Sequence, residues 1–145
     1  MIIINVINSP KGGGAELVVA ELHKFFITKN LKSYLIFFSQ RHENTPENEI
    51  YLGLGHRNLL NIIKLRIKIK NIIKKHNDKV VVNVHLTWPF YYSVLACLGI
   101  PQVNLVYTEH SIKFRKMPFL KLIDNFFYSR YSRIICISEG VQESL

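Results

Sequence analysis

The chain has 145 residues, 48% apolar and 20% charged, enough for one domain that buries roughly 70% of its unfolded surface and too few for a second. Its formal net charge of +9 asks for an anionic partner, whether nucleic acid, an anionic membrane or a phosphorylated substrate. Cys97 and Cys136 stand far apart in apolar runs with no CxxC pair, so neither a metal site nor a secreted disulfide framework is expected, only two buried reduced thiols.

Met1 leads straight into a strand and Lys11 comes too late for a charged leading region, so no signal peptide is expected. The first strand is Ile2–Ile7. It ends in the turn Ser9-Pro10-Lys11-Gly12-Gly13-Gly14-Ala15-Glu16, whose glycines allow positive φ and bring bare N–H groups close to a ligand. A helix over 16–29 follows and offers its unpaired N–H groups and positive dipole end to an anion. A second strand spans 33–38, and the polar segment 41–57, with Pro46 and Gly53-Leu54-Gly55, predicts a long loop. Next come a helix over 59–75, a strand over 80–84 and a helix over 90–98 stopped by Gly99-Ile100-Pro101. The remaining elements are a strand over 103–107, a helix over 119–131, a strand over 134–137 and a helix opening at Glu139 behind Ser138 as N-cap. The uncharged stretch 86–108 is interrupted by Pro89, Gly99, Pro101, Gln102 and Asn104, so it predicts a buried helix and a buried strand in place of a membrane span. Strands nearly continuous in apolar residues, alternating with helices, predict a doubly wound α/β domain with a parallel sheet and helices on both faces. The chain ends as its last helix begins, and a truncated domain is the expectation.

A parallel open sheet delivers every strand exit to one edge, where ligands bind. The exits here carry Gly12, Gly13, Gly14 and Glu16, then Ser39 and Gln40, then His85, then Thr108-Glu109-His110-Ser111, then Ser138-Glu139. His85 taken alone fits a structural histidine as well as a ligand-binding one. Glu16 either reaches a ligand hydroxyl or answers the helix dipole. His110 stands among consecutive polar residues before a loop holding Lys113, Arg115 and Lys116, and a neutral imidazole there donates to a sugar hydroxyl or takes a proton from one. A dinucleotide fingerprint fails, since Ala15, Glu16 and Leu17 follow the glycines and no acid closes the second strand. A P-loop fails as well, because Glu16-Leu17 stands where Lys-Ser/Thr is required.

Between Arg57 and Lys79 the cations Lys64, Arg66, Lys68, Lys70, Lys74 and Lys75 meet a single acid, Asp78. Ile62, Leu65, Ile69 and Ile72 have the spacing of a packed stripe, while Leu60, Ile63 and Ile67 form a second stripe with no evident cover. The segment is either a solvated lysine-rich face or a surface for anionic lipid, with Arg66, Lys68, Lys70, Lys74 and Lys75 as membrane contacts. No helix-turn-helix, RRM or aromatic stacking motif accompanies the charge, so nucleic acid is not expected.

Gly12-Gly13-Gly14-Ala15-Glu16 before a helix, Tyr107-Thr108-Glu109-His110-Ser111 and Ile135-Cys136-Ile137-Ser138-Glu139-Gly140-Val141 together resemble the amino-terminal, acceptor-side half of the family-4 glycosyltransferases, retaining enzymes of GT-B architecture. His85-Leu86-Thr87-Trp88-Pro89 adds that family's frequent histidine loop. The resemblance implies that residues 1–145 form a Rossmann-like domain, incomplete at its C-terminus, whose donor-binding partner domain the chain lacks. It implies hexosyl transfer from a nucleotide-diphospho-sugar to an acceptor, in bacterial surface polysaccharide or lipopolysaccharide synthesis, with no metal or other cofactor and little activity from the chain alone. It places His110 at the transferred sugar as the catalytic candidate, with Gly12, Gly13, Gly14, Glu16, His85, Glu109 and Ser138 as substrate-binding candidates. A lipid-linked acceptor would put the protein in the cytoplasm, peripheral at the inner face of the cytoplasmic membrane. The alternatives are a non-catalytic module of a split transferase, docking on membrane or on a separate donor-binding subunit, and a nucleotide-binding regulator.

Overall fold

The computed structural model describes residues 1–40, 45–110 and 118–143, and of residues 118–122 the backbone alone. Ser111, Lys113, Arg115 and Lys116 lie outside the described residues. Along the chain run β1 (Ile2–Ile7), α1 (Gly14–Thr28), β2 (Lys32–Phe37), β3 (Glu49–Tyr51), α2 (Leu60–His76), β4 (Val80–His85), α3 (Thr87–Cys97), β5 (Val103–Glu109), α4 (Pro118–Tyr128), β6 (Arg133–Cys136) and α5 (Glu139–Glu143). The strands form one parallel sheet in the order β3-β2-β1-β4-β5-β6. Chain direction across the sheet reverses between β1 and β4, the place where doubly wound sheets open a ligand crevice at their carboxyl edge. The expected α/β Rossmann-like fold is present.

Side chains alternate between two cores. On one face Ile2, Ile4, Val6, Val80, Val82, Val84, Leu105 and Tyr107 meet Leu65, Ile69 and Ile72 of α2 and Phe90 and Val94 of α3. On the other, Ile7, Leu35 and Phe37 meet Val19 of α1. Each such side chain, fully buried, contributes on the order of 1.5–3 kcal/mol. Three strands of aliphatic residues sandwiched this way account for the runs that lack polar alternation.

The structure corrects three sequence expectations. The loop over 41–57 contains β3, whose residues Glu49, Ile50 and Tyr51 pair with Leu35, Ile36 and Phe37. Three residues are too few to show a period. Helix α3 starts at Thr87, not at 90, because Pro89 sits in its first turn, where the missing N–H would have found no partner anyway. His85 and Glu109 close β4 and β5 as ladder residues instead of opening loops.

Candidate functional site

At the carboxyl end of β1 the Ser9 hydroxyl donates to the carbonyl of Lys11, and the Gly13 N–H donates to Glu16 Oε2 at 2.8 Å. Glu16 thus reaches back over the first turn of α1 and satisfies one of its free donors. The glycines serve this turn differently from the expectation: the positive-φ glycines found are Gly53 and Gly99, not Gly12, Gly13 or Gly14. A Cβ on Gly12 would lie 2.8 Å from Glu16 Oε1 and push that carboxylate aside, one on Gly13 would make an ordinary contact with Oε2 at 3.8 Å, and Gly14 has open space around it.

Across the switch point, β4 ends in His85, which is 0% exposed. Its Nδ1 lies 2.9 Å from His110 Nε2, and the two rings are tilted at 41° with centroids 5.2 Å apart. Burial, reinforced by the neighbouring His110, holds the His85 pKa down to about 3. His110 is half-buried and its pKa is also lowered by desolvation, against the opposing pull of the Glu109 and Glu16 carboxylates. The Gly13 turn follows β1 and His110 follows β5, so the parallel sheet delivers both to its carboxyl edge. Behind the pair a buried polar row crosses three strands: Thr108 Oγ1 donates to Asn83 Oδ1 at 2.9 Å, and Asn83 Nδ2 to Asn5 Oδ1 at 3.2 Å. Leu86, directly after His85, adopts φ 69° and ψ 166°, a region normally open only to glycine and costing about 1–3 kcal/mol. This reversal seats its side chain against the α1-side core and launches α3.

The structure brings Gly12, Gly13, Gly14, Glu16, His85 and His110 to one rim. It does not bring Glu109 there. That side chain is buried on the opposite face of β5 and accepts from the Tyr107 and Tyr128 hydroxyls, the latter at 3.3 Å. Ser138 is exposed and caps α5, its Oγ accepting from the Val141 N–H at 3.3 Å. Asn8 was not anticipated. Its Oδ1 and the Ser39 Oγ, at the ends of β1 and β2, are buried without a partner among the described residues, and a single asparagine at a strand end carries no sequence signal. Among the described residues no three His, Cys, Asp or Glu side chains are grouped to hold a metal. What the edge offers a ligand is backbone N–H groups, the half-buried imidazole of His110 backed by the buried His85, and one carboxylate.

On α2, Lys68, Lys70, Lys74 and Lys75 are exposed. Lys75 pairs with Glu47 at 3.2 Å, whereas Lys68, Lys70 and Lys74 have no ion pair among the described residues. Arg66 departs from the expected membrane contact. It is half-buried, and its Nη1 donates to the carbonyls of Ala96 at 2.8 Å and Leu98 at 2.7 Å, capping α3. The second apolar stripe is uncovered: Leu59 is 69% exposed, Leu60 55%, Ile63 57% and Ile67 50%. No helix among the described residues is long and apolar enough to cross a membrane.

No curated protein matches the chain. The family model for Glycosyltransferase Family 4 matches residues 12–145, a span that opens on the glycine turn and contains every element from α1 onward. On that match, and with a parallel sheet wound as the family's resemblance implied, the chain belongs to Glycosyltransferase Family 4.

Proposed function

We propose that this glycosyltransferase domain takes part in retaining transfer of a sugar from a nucleotide-diphospho-sugar to a lipid-linked acceptor, in surface polysaccharide or lipopolysaccharide synthesis. The observation that carries the reading is the meeting of the Gly13–Glu16 turn with the His85–His110 pair at the switch-point edge. The N–H groups of the turn other than that of Gly13, which Glu16 takes, and the α1 dipole suit a diphosphate, and His110, its pKa lowered by desolvation and so neutral at physiological pH, suits a sugar hydroxyl. No nucleophile is needed in a front-face displacement, where the leaving donor phosphate helps to take the acceptor proton. The protein then supplies orientation and stabilisation of developing charge. The test is NMR titration of the labelled protein with UDP-glucose, UDP-galactose and GDP-mannose. Shifts confined to the Gly12, Gly13, Gly14 and His110 signals with one of them, and none with NAD or ATP, are expected. An unmoved edge with every nucleotide sugar counts against the proposal.

The outward face of α2 supports a docking role beside this chemistry, whether the domain is catalytic or serves a split transferase. Leu60, Ile63 and Ile67 line that face with lysines on both flanks, and α2 itself holds no acidic residue. Because α2 runs from the carboxyl edge back toward the start of β4, the exposed apolar residues occupy the half nearer the site. Lys68, Lys70 and Lys74 extend toward the far end. Anionic lipid fits this order: apolar side chains entering the interface beside the site, and lysines each contributing about 1 kcal/mol at the headgroups. Sedimentation with phosphatidylglycerol vesicles, lost in the triple variant Lys68→Glu, Lys70→Glu, Lys74→Glu and absent with phosphatidylcholine, is the expected result. Equal retention of the triple variant would remove the docking role.

A further inference from the structure

The His85–His110 contact joins two nitrogens, so one of them carries the hydrogen and the other accepts it. His85 is fully buried and neutral, hence it owns a single N–H. Were His110 the donor through Nε2, the N–H of His85 would sit on its own Nε2. That atom is completely buried with no hydrogen-bond partner among the described residues. An orphaned buried N–H is rarer in folded proteins than an unused acceptor and costs about 1–3 kcal/mol. With the hydrogen on His85 Nδ1 instead, the orphan is a bare lone pair.

We propose that His85 is a positioning residue whose Nδ1–H, donated to His110 Nε2, fixes His110 in the tautomer protonated at Nδ1. His110 then presents an N–H donor to whatever binds at the rim and is not available there as a proton acceptor. Resting on the transferase reading, this makes His110 a group that holds a hydroxyl oxygen of the transferred sugar, and leaves deprotonation of the acceptor to the donor phosphate. The residue after His85, Leu86, holds a strained backbone and packs its side chain against the α1-side core, so the chain is fixed immediately beyond His85.

The test is tautomer-sensitive nitrogen NMR on protein labelled in histidine, with no ligand added. Wild type is expected to show His110 protonated at Nδ1. His85→Asn, whose amide N–H stands near the place of the imidazole Nδ1–H, should keep that tautomer, and His85→Leu should release His110 to the Nε2–H form. The His23 and His76 signals report whether each variant is folded. If the Leu variant does not fold, the wild-type and Asn spectra decide the matter. A wild-type His110 protonated at Nε2, or a folded Leu variant with an unchanged tautomer, overturns the proposal. In a second arm, UDP-glucose, UDP-galactose or GDP-mannose, whichever binds wild type, should bind the Leu variant about tenfold more weakly than the Asn variant. Equal affinity of the two overturns the role toward the sugar. If none binds even wild type, the proposed role of this edge toward the nucleotide sugar fails while the tautomer result stands on its own.

Discussion

At residue scale the rim is organised by one carboxylate. Glu16 caps the Gly13 N–H and also acts on His110 through space, so charge and hydrogen bonding at this position can be separated by substitution. Glu16→Gln keeps an acceptor for the Gly13 N–H but removes the negative charge that holds the His110 pKa up. The expected outcome is a His110 pKa lower than in wild type, read by NMR titration, with stability little changed. An unshifted or raised His110 pKa would show that the two groups do not interact. Gly12→Ala perturbs the same carboxylate sterically, since the new Cβ must displace Oε1 from 2.8 Å. Loss of the reach-back bond should cost about 1 kcal/mol in denaturant midpoint experiments. Gly14→Ala, with open space around it, is the matched comparison and should cost less.

At the scale of elements, α2 divides into a packed side, an exposed side and one tether. Arg66 supplies the tether, closing the end of α3 through two carbonyls that the helix leaves unpaired. Arg66→Met retains the aliphatic stem but leaves both carbonyls without that partner. A loss of about 1–3 kcal/mol is expected in urea unfolding, with vesicle binding kept. An Arg66→Met protein as stable as wild type would mean water replaces the cap at no cost. This division shows what sequence can tell. The packed stripe of Leu65, Ile69 and Ile72 and the uncovered stripe of Leu60, Ile63 and Ile67 were legible because helical period reports faces directly. The task of Arg66 was not, since its partners are backbone carbonyls some 30 residues away that have no side-chain signature. Strand β3 escaped notice for a related reason: its place depends on pairing with β2, and Glu49-Ile50-Tyr51 alone is too short to declare it. Likewise Glu109 looked like a rim residue because it precedes His110. Strand alternation turns it to the other face, where two tyrosine hydroxyls hold it.

At the scale of the whole molecule, convergence of Gly13, Glu16, His85 and His110 on one rim follows from parallel winding, which the alternation of strands and helices had already implied. Their mutual contacts did not follow from it. The same burial that builds the His85–His110 pair links the site to global stability. The unfolded chain protonates His85 near its ordinary value of 6.5, whereas the folded protein resists until about 3. The folded pKa is the lower one, so this contribution is fully present above pH 6.5 and is lost progressively as pH falls toward 3, by about 1 kcal/mol per pH unit. His23, lowered by burial against the opposing Glu49, adds to the decline with the same sign. Urea unfolding at pH 7.5 and at pH 5, a window above the titration of ordinary carboxylates, should therefore show a marked loss in wild type. His85→Asn removes the ionisable group, keeps the donor toward His110, and should leave the smaller slope of the remaining histidines. Should both proteins lose the same stability across that window, His85 is not the buried neutral group on which the donor assignment of His110 depends.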